Sequence, residues 1–315
     1  AGGAVGARAS ASRPPYRCAL YHGVVYLPYM EARLLDALRA GFVLQRRDVV
    51  VVSHPRCGTT WCQTIVLNLL QRGRPGSIRD PTLQAPWIEA CLCKGRASLA
   101  ELNAGGAGLG DEQLRCLKTH AVARLAPWCR AERGARLLLV TRDPRDAAVS
   151  HFHHIRNSAY RFCGTWNEFC GLFLGGLVEG GDFWQWHEGW ARFAGAPGSG
   201  SLVRCLWVRY EDLIADLRGQ VERIAAFLGV AESLTAQELD AVVAAVEFGA
   251  MSKLFDRRNA RKEARGRRFD PHHIRRGVAG GWPELMSHSQ SELFCARTHA
   301  CAAPVWTTPH WEHDT

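Results

Sequence analysis

Three short apolar runs, each followed by a turn and a helical pattern, determine the predicted architecture of this chain. They span residues 49–52, 137–140 and 202–208. Continuous apolar runs of this length are typical of strands that are buried on both faces, and their alternation with helices is typical of a parallel sheet. With 315 residues, of which 47% are hydrophobic, the chain is long enough for one large core. We therefore predict a single α/β domain with a central parallel sheet flanked by helices.

The segment between the first run and its helix, residues 53–61, reads SHPRCGTTW. A loop that follows a buried strand and opens a helix directs backbone N–H groups and the positive end of the helix dipole at one point, where a phosphate or sulfate can bind. Gly58 allows close approach of the backbone, and Thr59 and Thr60 add hydroxyl donors. The loop is not a Walker A motif, because Arg56 precedes the glycine and no Gly-Lys-Ser/Thr sequence follows. A generic strand-to-helix turn is the alternative.

Two further basic segments lie at similar places in the pattern. Residues 142–150 read RDPRDAAVS, in which Arg142 ends a strand and Ser150 lies about two turns along a helix, so that both can contact one anion. A salt bridge between Arg142 and Asp146 on a solvated face is an equal alternative. Residues 274–282 read IRRGVAGGW, a basic loop with two glycine turns, within a region whose other charges are predicted to be mostly solvated. Three phosphate-type sites indicate a ligand with more than one phosphate.

Together these segments resemble the cytosolic sulfotransferase family, which transfers a sulfuryl group from 3'-phosphoadenosine 5'-phosphosulfate (PAPS) to a hydroxyl or an amine. SHPRCGTTW is similar to the family's P-K-x-G-T-T-W loop for the 5'-phosphosulfate, and RDPRDAAVS to its 3'-phosphate motif R-x-P-x-D-x-x-V-S. IRRGVAGGW is similar to R-K-G-x-x-G-D-W. LKTH (117–120) and RYEDL (209–213) match two shorter motifs, in the family's order. Residues 159–173 resemble arthropod members in the part that covers the acceptor.

The resemblance implies a P-loop-like sulfotransferase fold over residues 20–295, with residues 1–19 and 296–315 expected as flexible or ill-defined tails. It implies catalytic roles for His120, Lys118, Arg56 and Ser150. The residues that it implies for nucleotide binding are Arg56, Cys57, Gly58, Thr59, Thr60, Trp61, Arg142, Ser150, Tyr210, Phe248, Met251, Arg275, Arg276 and Gly277. Trp87, Phe152 and His154 match positions that line the acceptor pocket. Simple core packing is the alternative for Trp61 and Phe248.

The chemistry of the transfer is consistent with the K-T-H segment. A neutral imidazole can accept a phenolic proton near neutral pH, so His120 is the candidate base, and a satisfied core histidine is the alternative. Side chains alternate along a strand, so Lys118 is expected on the same side as His120, where it can stabilise the transferring sulfonate.

Composition limits the classes of ligand and the cellular compartment that we expect for this chain. The formal net charge of +9 suits a polyanionic ligand, although the charge alone would also suit nucleic acid. The 12 cysteines and 13 histidines show no zinc-type spacing, so we expect no metal and reduced thiols. No apolar run approaches the ~18 residues of a membrane span, and a signal peptide is not apparent. We expect a cytoplasmic protein that acts on a small-molecule acceptor, without nucleic-acid or membrane partners.

The sequence also departs from the family pattern. Arg56 stands where the family usually has lysine, and Val246 replaces a usual threonine near the adenine. Gly281 and Pro283 replace aspartate and lysine, and the dimerisation segment that usually follows is not matched, which leaves the oligomeric state open. Two alternatives therefore remain. One is a catalytically impaired relative that binds the nucleotide without transfer, and the other is a small-molecule P-loop kinase.

Overall fold

The computed structural model describes residues 16–105, 113–157, 160–195, 203–266, 274 and 276–303. The strands of these ranges are β1 (Ala19–Tyr21), β2 (Val24–Tyr26), β3 (Val43–Leu44), β4 (Asp48–Ser53), β5 (Arg115–Thr119), β6 (Arg130–Ala131), β7 (Ala135–Thr141) and β8 (Val203–Arg209). Four of them form the central sheet in the order β5-β4-β7-β8, and each adjoining pair is parallel. The predicted central parallel sheet is therefore confirmed.

Helices cover the two faces of this sheet. The longer ones are α1 (Ala32–Gly41), α2 (Thr59–Leu70), α3 (Pro81–Gln84), α4 (Ile88–Cys93), α5 (Leu99–Ala104), α6 (Pro144–Asn157), α7 (Trp166–Leu174), α8 (Phe183–Gly195), α9 (Tyr210–Ala215), α10 (Leu217–Leu228), α11 (Ala236–Val246), α12 (Phe248–Glu263) and α13 (His288–Ala300). Because side chains alternate along β4, Val51 packs into one core cluster with Ile65 of α2, whereas Val52 packs into another with Trp186 of α8. Both faces of the sheet are thus buried, as the continuous apolar runs predict.

The smaller strands lie outside the central sheet. β1 and β2 form an antiparallel hairpin, and β3 pairs in parallel with β6. A third core cluster, rich in aromatic side chains, lies beneath α6 and α7, and it includes Phe152, Phe169 and Phe173. Among the helices of the described ranges, none is both long and apolar enough to cross a membrane.

The two predicted tails fall partly within the described residues. Tyr16 lies edge-on to the rings of Tyr160 and Phe162, and its hydroxyl donates to the carbonyl of Leu177. At the other end, residue 296 lies within α13, and Cys301 and Ala303 beyond that helix are buried. Residues 1–15 and 304–315 lie outside the described part of the chain.

Candidate active site

The loop between β4 and α2 has the conformation that an anion-binding turn requires. Gly58, at the N-cap of α2, has a φ of +100°, and a Cβ atom there would lie 2.8 Å from Cδ2 of Tyr210. Two constraints, the backbone conformation and the lack of space, therefore favour glycine. Arg56 has a φ of +72°, which is uncommon for a residue with a side chain. Thr59 begins the helix, and its hydroxyl lies 2.5 Å from the hydroxyl of Ser53.

His120 follows β5, the neighbour of β4, so its ring lies beside the end of the loop strand. Its Nδ1 lies 2.8 Å from the carbonyl oxygen of Ser53. A carbonyl only accepts hydrogen bonds, so Nδ1 carries the proton and Nε2 keeps its lone pair. Burial lowers the pKa of His120 well below 6.5, and the charge of Lys118 lowers it further. The imidazole is therefore neutral at physiological pH, the form that a general base requires.

Lys118 lies next to this base, with its Nζ 3.4 Å from Nε2 of His120. The ammonium also lies over the ring of Trp87, 4.6 Å from the ring centroid, and Trp87 meets the His120 ring edge-on at 4.9 Å. Burial lowers the pKa of Lys118 to about 8, while the carboxylates of Glu179 and Glu89 raise it. The lysine is thus protonated at neutral pH but close to losing its proton.

The second basic motif, residues 142–150, contacts the loop between β4 and α2 from the end of the neighbouring strand β7. Arg142 follows β7, and its guanidinium lies over the ring of Tyr210 at 4.1 Å. Its Nη1 donates to the carbonyl of Arg56 at 3.3 Å, and the Nε of Arg56 donates to the hydroxyl of Ser150 on α6 at 3.2 Å. Arg142 also lies 3.8 Å from Asp146, but their side chains are only 10% and 2% exposed. The pair predicted as the alternative exists, and it is buried rather than on a solvated face.

Aromatic side chains gather at the far end of the loop. The indole Nε1 of Trp61 donates to the carbonyl of Val246 at 2.8 Å, and its ring lies edge-on to Tyr210 at 5.5 Å. Phe248 is 40% exposed, so core packing does not account for its position. Gly277 lies against this ring, because a Cβ atom at Gly277 would come within 2.0 Å of Phe248. The segment with the third basic motif therefore closes onto the start of α12.

One cavity of about 420 Å³ brings most of the predicted site residues together. Those that line it are Arg56, Gly58, Thr59, Thr60, Trp61, Trp87, Lys118, His120, Arg142, Ser150, His154, Tyr210, Phe248, Met251, Arg276 and Gly277. Its walls combine cationic side chains with aromatic rings. Such a cavity suits a ligand that joins charged groups to flat apolar ones.

Two predicted residues of the described ranges, Cys57 and Phe152, are not among those that line it. Cys57 has a fully buried thiol, and its backbone N–H donates to the carbonyl of His54 at 3.4 Å. Phe152 is 4% exposed and packs against the rings of Trp166 and Phe169, with centroid distances of 5.6 and 5.7 Å, so it lies behind the cavity wall. Arg275 lies outside the described residues.

The cavity also contains residues that the sequence did not point to. Glu179 is 5% exposed and lines the wall, and burial raises its pKa to about 7 while Tyr160 and Lys118 lower it. Arg258 is 9% exposed and lines the cavity, although its segment is predicted to be mostly solvated. Neither residue belongs to one of the motifs. Both lie in segments that are far from the loop in sequence, and the fold brings them to the cavity.

Comparison with known proteins gives the family. The model of the Sulfotransferase domain matches residues 46–302. Sulfotransferase 2B1 of Homo sapiens is 29% identical over 264 residues, which cover 78% of this chain and 64% of that protein. Cytosolic sulfotransferase 1 of Danio rerio is 27% identical over 256 residues, covering 78% of this chain and 80% of that protein. The chain thus spans a little less than two thirds of the human relative.

Solved structures share the fold. Mouse sulfotransferase SULT7A1 complexed with PAP superposes with a TM-score of 0.69 at 20% identity, over 92% of this chain and 97% of that one. Retinol dehydratase in a complex with retinol and PAP gives 0.67 at 22% identity, over 88% and 86%. Since the family model covers most of the sequence, this chain belongs to the sulfotransferase family.

Proposed function

We propose that this chain transfers a sulfuryl group from PAPS to a hydroxyl (phenol or alcohol) or an amine of a small molecule. The observation that carries the proposal is the pairing of His120 with Lys118 at the edge of the loop that follows β4. The lone pair of His120 Nε2 lies beside the Lys118 ammonium, and both side chains line the cavity that the loop opens into. A base and a cation are thus held together where an anion can bind.

The charges of the cavity support a polyanionic donor. Arg56 and Arg142 lie at its loop end, and Arg276 approaches from the C-terminal segment, where it pairs with Glu284. The carboxylate of Asp146 lies next to Arg142. Burial raises the pKa of this carboxylate, and the charge of Arg142 lowers it. In this proposal Arg56, Thr59 and Thr60 hold the 5'-phosphosulfate. The 3'-phosphate lies against Arg142, Ser150, Arg276 and, in the proposal only, Arg275.

The aromatic residues supply the rest of the donor site. Trp61, Tyr210, Phe248 and Met251 line the cavity beyond the loop, and their flat apolar surfaces suit an adenine ring. Gly58 and Gly277 allow the backbone to approach closely at the two ends. The backbone N–H of Cys57 is assigned no direct contact, because it donates to His54.

In the proposed transfer, different side chains take the proton, stabilise the leaving group and bind the acceptor. His120 Nε2 takes the proton of the acceptor hydroxyl as the acceptor oxygen forms its bond to sulfur. The bond between sulfur and the bridging oxygen breaks, and PAP leaves with that oxygen. Lys118 and Arg56 are placed to balance the negative charge that grows there. Trp87 and His154 line the acceptor wall, and the aromatic surface of Trp87 favours a flat acceptor such as a phenol.

Residues 20–295 form one sulfotransferase domain in this proposal, and the protein works in the cytoplasm, as the name of the Danio rerio relative suggests. The side chains described above provide the base and the cations that the transfer needs. The proposal therefore assigns no role to a metal ion.

Incubation with labelled PAPS and a panel of phenols, alcohols and amines tests the proposal. We expect sulfation of at least one acceptor, a loss of about 10²–10⁴ in turnover for His120→Ala, and unchanged PAP binding in that variant. His288→Ala is the matched control, because His288 lies on the exposed side of α13. PAP binding by the wild type without transfer to any acceptor would instead favour the catalytically impaired relative.

A further inference from the structure

Four cationic side chains line the cavity outside the set assigned to the donor. Lys94 is the C-cap of α4, and Arg96 follows it two residues later. Arg258 and Lys262 lie one turn apart on α12, so they share one face of that helix. Two separate segments therefore present four positive charges to the same cavity.

These charges exceed their carboxylate partners. Arg258 Nε lies 3.1 Å from Asp80 Oδ2, and the two side chains are 10% and 14% exposed. Within the described ranges, Asp80 is the one carboxylate in salt-bridge contact with any of the four. Burial lowers the pKa of Lys262, the charges of Arg258, Arg96 and Lys94 lower it further, and the charge of Asp80 raises it. An excess of mutually repelling cations in a cavity attracts an anion.

The position of these four cations indicates that they contact the acceptor rather than the donor. Trp87, which touches His120 and Lys118, is the N-cap of α4, and Lys94 lies seven residues later at the other end of that helix. At 1.5 Å per residue this separates the two by about 10 Å. The Lys94 ammonium lies over the ring of Tyr29 at 4.2 Å, and Tyr29 also lines the cavity. The cavity therefore has an aromatic ring beside the base, that of Trp87, and another beside Lys94, that of Tyr29.

We propose that the preferred acceptor of this sulfotransferase carries a carboxylate or a similar anion at the end remote from the hydroxyl that is sulfated. Lys94, Arg96 and Lys262 bind that anion, and Arg258, fixed by Asp80, adds to the field. This inference rests on the proposed function, because it names the class of acceptor for the same site. It follows from charges that the donor site does not use.

A pair of rigid acceptors that differ only in a carboxylate tests the inference. In 4'-hydroxybiphenyl-4-carboxylate the phenol and the carboxylate lie at opposite ends, and 4-hydroxybiphenyl lacks only the carboxylate. We expect the wild type to have the higher kcat/KM for the carboxylate. In the double variant Lys94→Met, Lys262→Met, this kcat/KM should fall about tenfold, or about threefold for each charge, through KM rather than kcat. The value for 4-hydroxybiphenyl should change less than twofold.

Two controls distinguish the loss of an acceptor contact from a general loss of activity. Lys253→Met removes an exposed charge from the same helix at a position that does not line the cavity, and it should affect neither acceptor. PAP affinity, measured by calorimetry, should be the same in the double variant and the wild type. Equal losses for both acceptors, or a matching loss of PAP affinity, would overturn the inference.

The binding of the two acceptors to the protein–PAP complex gives a readout that does not depend on turnover. A lower Kd for the carboxylate, lost in the double variant, supports the inference even where no sulfation occurs. Equal Kd values for the two acceptors refute it. Absence of transfer to these two compounds and to every acceptor of the panel, with that Kd difference intact, refutes the proposed function alone.

Discussion

The protonation state of Lys118 should give the reaction an alkaline limit that an ordinary lysine would not impose. The ammonium lies 3.4 Å from the base nitrogen of His120, and burial lowers its pKa from 10.5 to about 8. The cationic form is the one that can stabilise the transferring group. Activity should therefore be present below the pKa of Lys118 and be lost as the pH rises through it.

The magnitude follows from that pKa. With a pKa of about 8, about 90% of Lys118 is protonated at pH 7 and about 10% at pH 9, so kcat/KM should fall roughly tenfold. A lysine with the ordinary pKa of 10.5 would lose only a few per cent over the same interval. On the acid side, protonation of His120 should limit activity only at a lower pH than for an ordinary histidine, because burial holds its pKa well below 6.5.

The parameter to measure is kcat/KM for PAPS, because it reports the pKa values of the free enzyme before a bound anion raises that of Lys118. The acceptor should keep its hydroxyl proton below about pH 10, as simple phenols and alcohols do. Lys118→Arg is the control, since a guanidinium stays protonated throughout the range, and its alkaline decline should disappear. A wild-type profile that stays flat to pH 9, or the same decline in Lys118→Arg, would refute the reasoning.

Three further substitutions test other contacts. Arg56→Lys should leave kcat equal or higher, because a compact ammonium replaces the planar fork, and single-turnover kinetics showing a large loss would contradict this. Arg115→Met should lower the free energy of unfolding by about 3–5 kcal/mol, because the fully buried Asp48 loses a partner at 2.7 Å. Urea denaturation measures this, and Asp48→Asn added to Arg115→Met should recover part of it. Gly277→Ala should weaken PAP binding about tenfold, since φ is +66° and the Cβ has no room. Gly249→Ala, with open space at its Cβ, should bind PAP normally in the same calorimetric assay.

The sequence predicted the sheet well where its strands are apolar and less well where they are not. The runs at 49–52 and 137–140 lie inside β4 and β7, but β4 also includes Asp48, which is fully buried. Its carboxylate is paired with Arg115 of β5, and no local pattern reveals a partner 67 residues away. β5 reads RCLKT, with only two consecutive apolar residues, so the K-T-H resemblance rather than an apolar run drew attention to it.

In the candidate site, too, local sequence patterns can identify some residues, whereas others are recognisable only from the fold. Ser150 and His154 are four residues apart on α6 and both line the cavity, whereas Phe152 lies between them and faces the aromatic core. Helical periodicity would have separated these positions, because residues at i and i+4 share a face and i+2 does not. Glu179 and Arg258 could not have been found in this way, since only the fold brings their segments to the cavity.

Arg56 connects the loop after β4 to the segment that carries the second basic motif. Its carbonyl accepts from Arg142, and its side chain donates to Ser150, so the loop after β4 is tied to the strand end of β7 and to α6 at once. The first contact is made by the backbone and persists with any side chain that tolerates a φ of +72°. The second requires the guanidinium Nε, because the lysine typical of the family has no donor at that point along its side chain. The arginine therefore restrains Ser150 in a way that lysine would not, and Arg56→Lys should change the affinity for the 3'-phosphate while the charge at the sulfate remains.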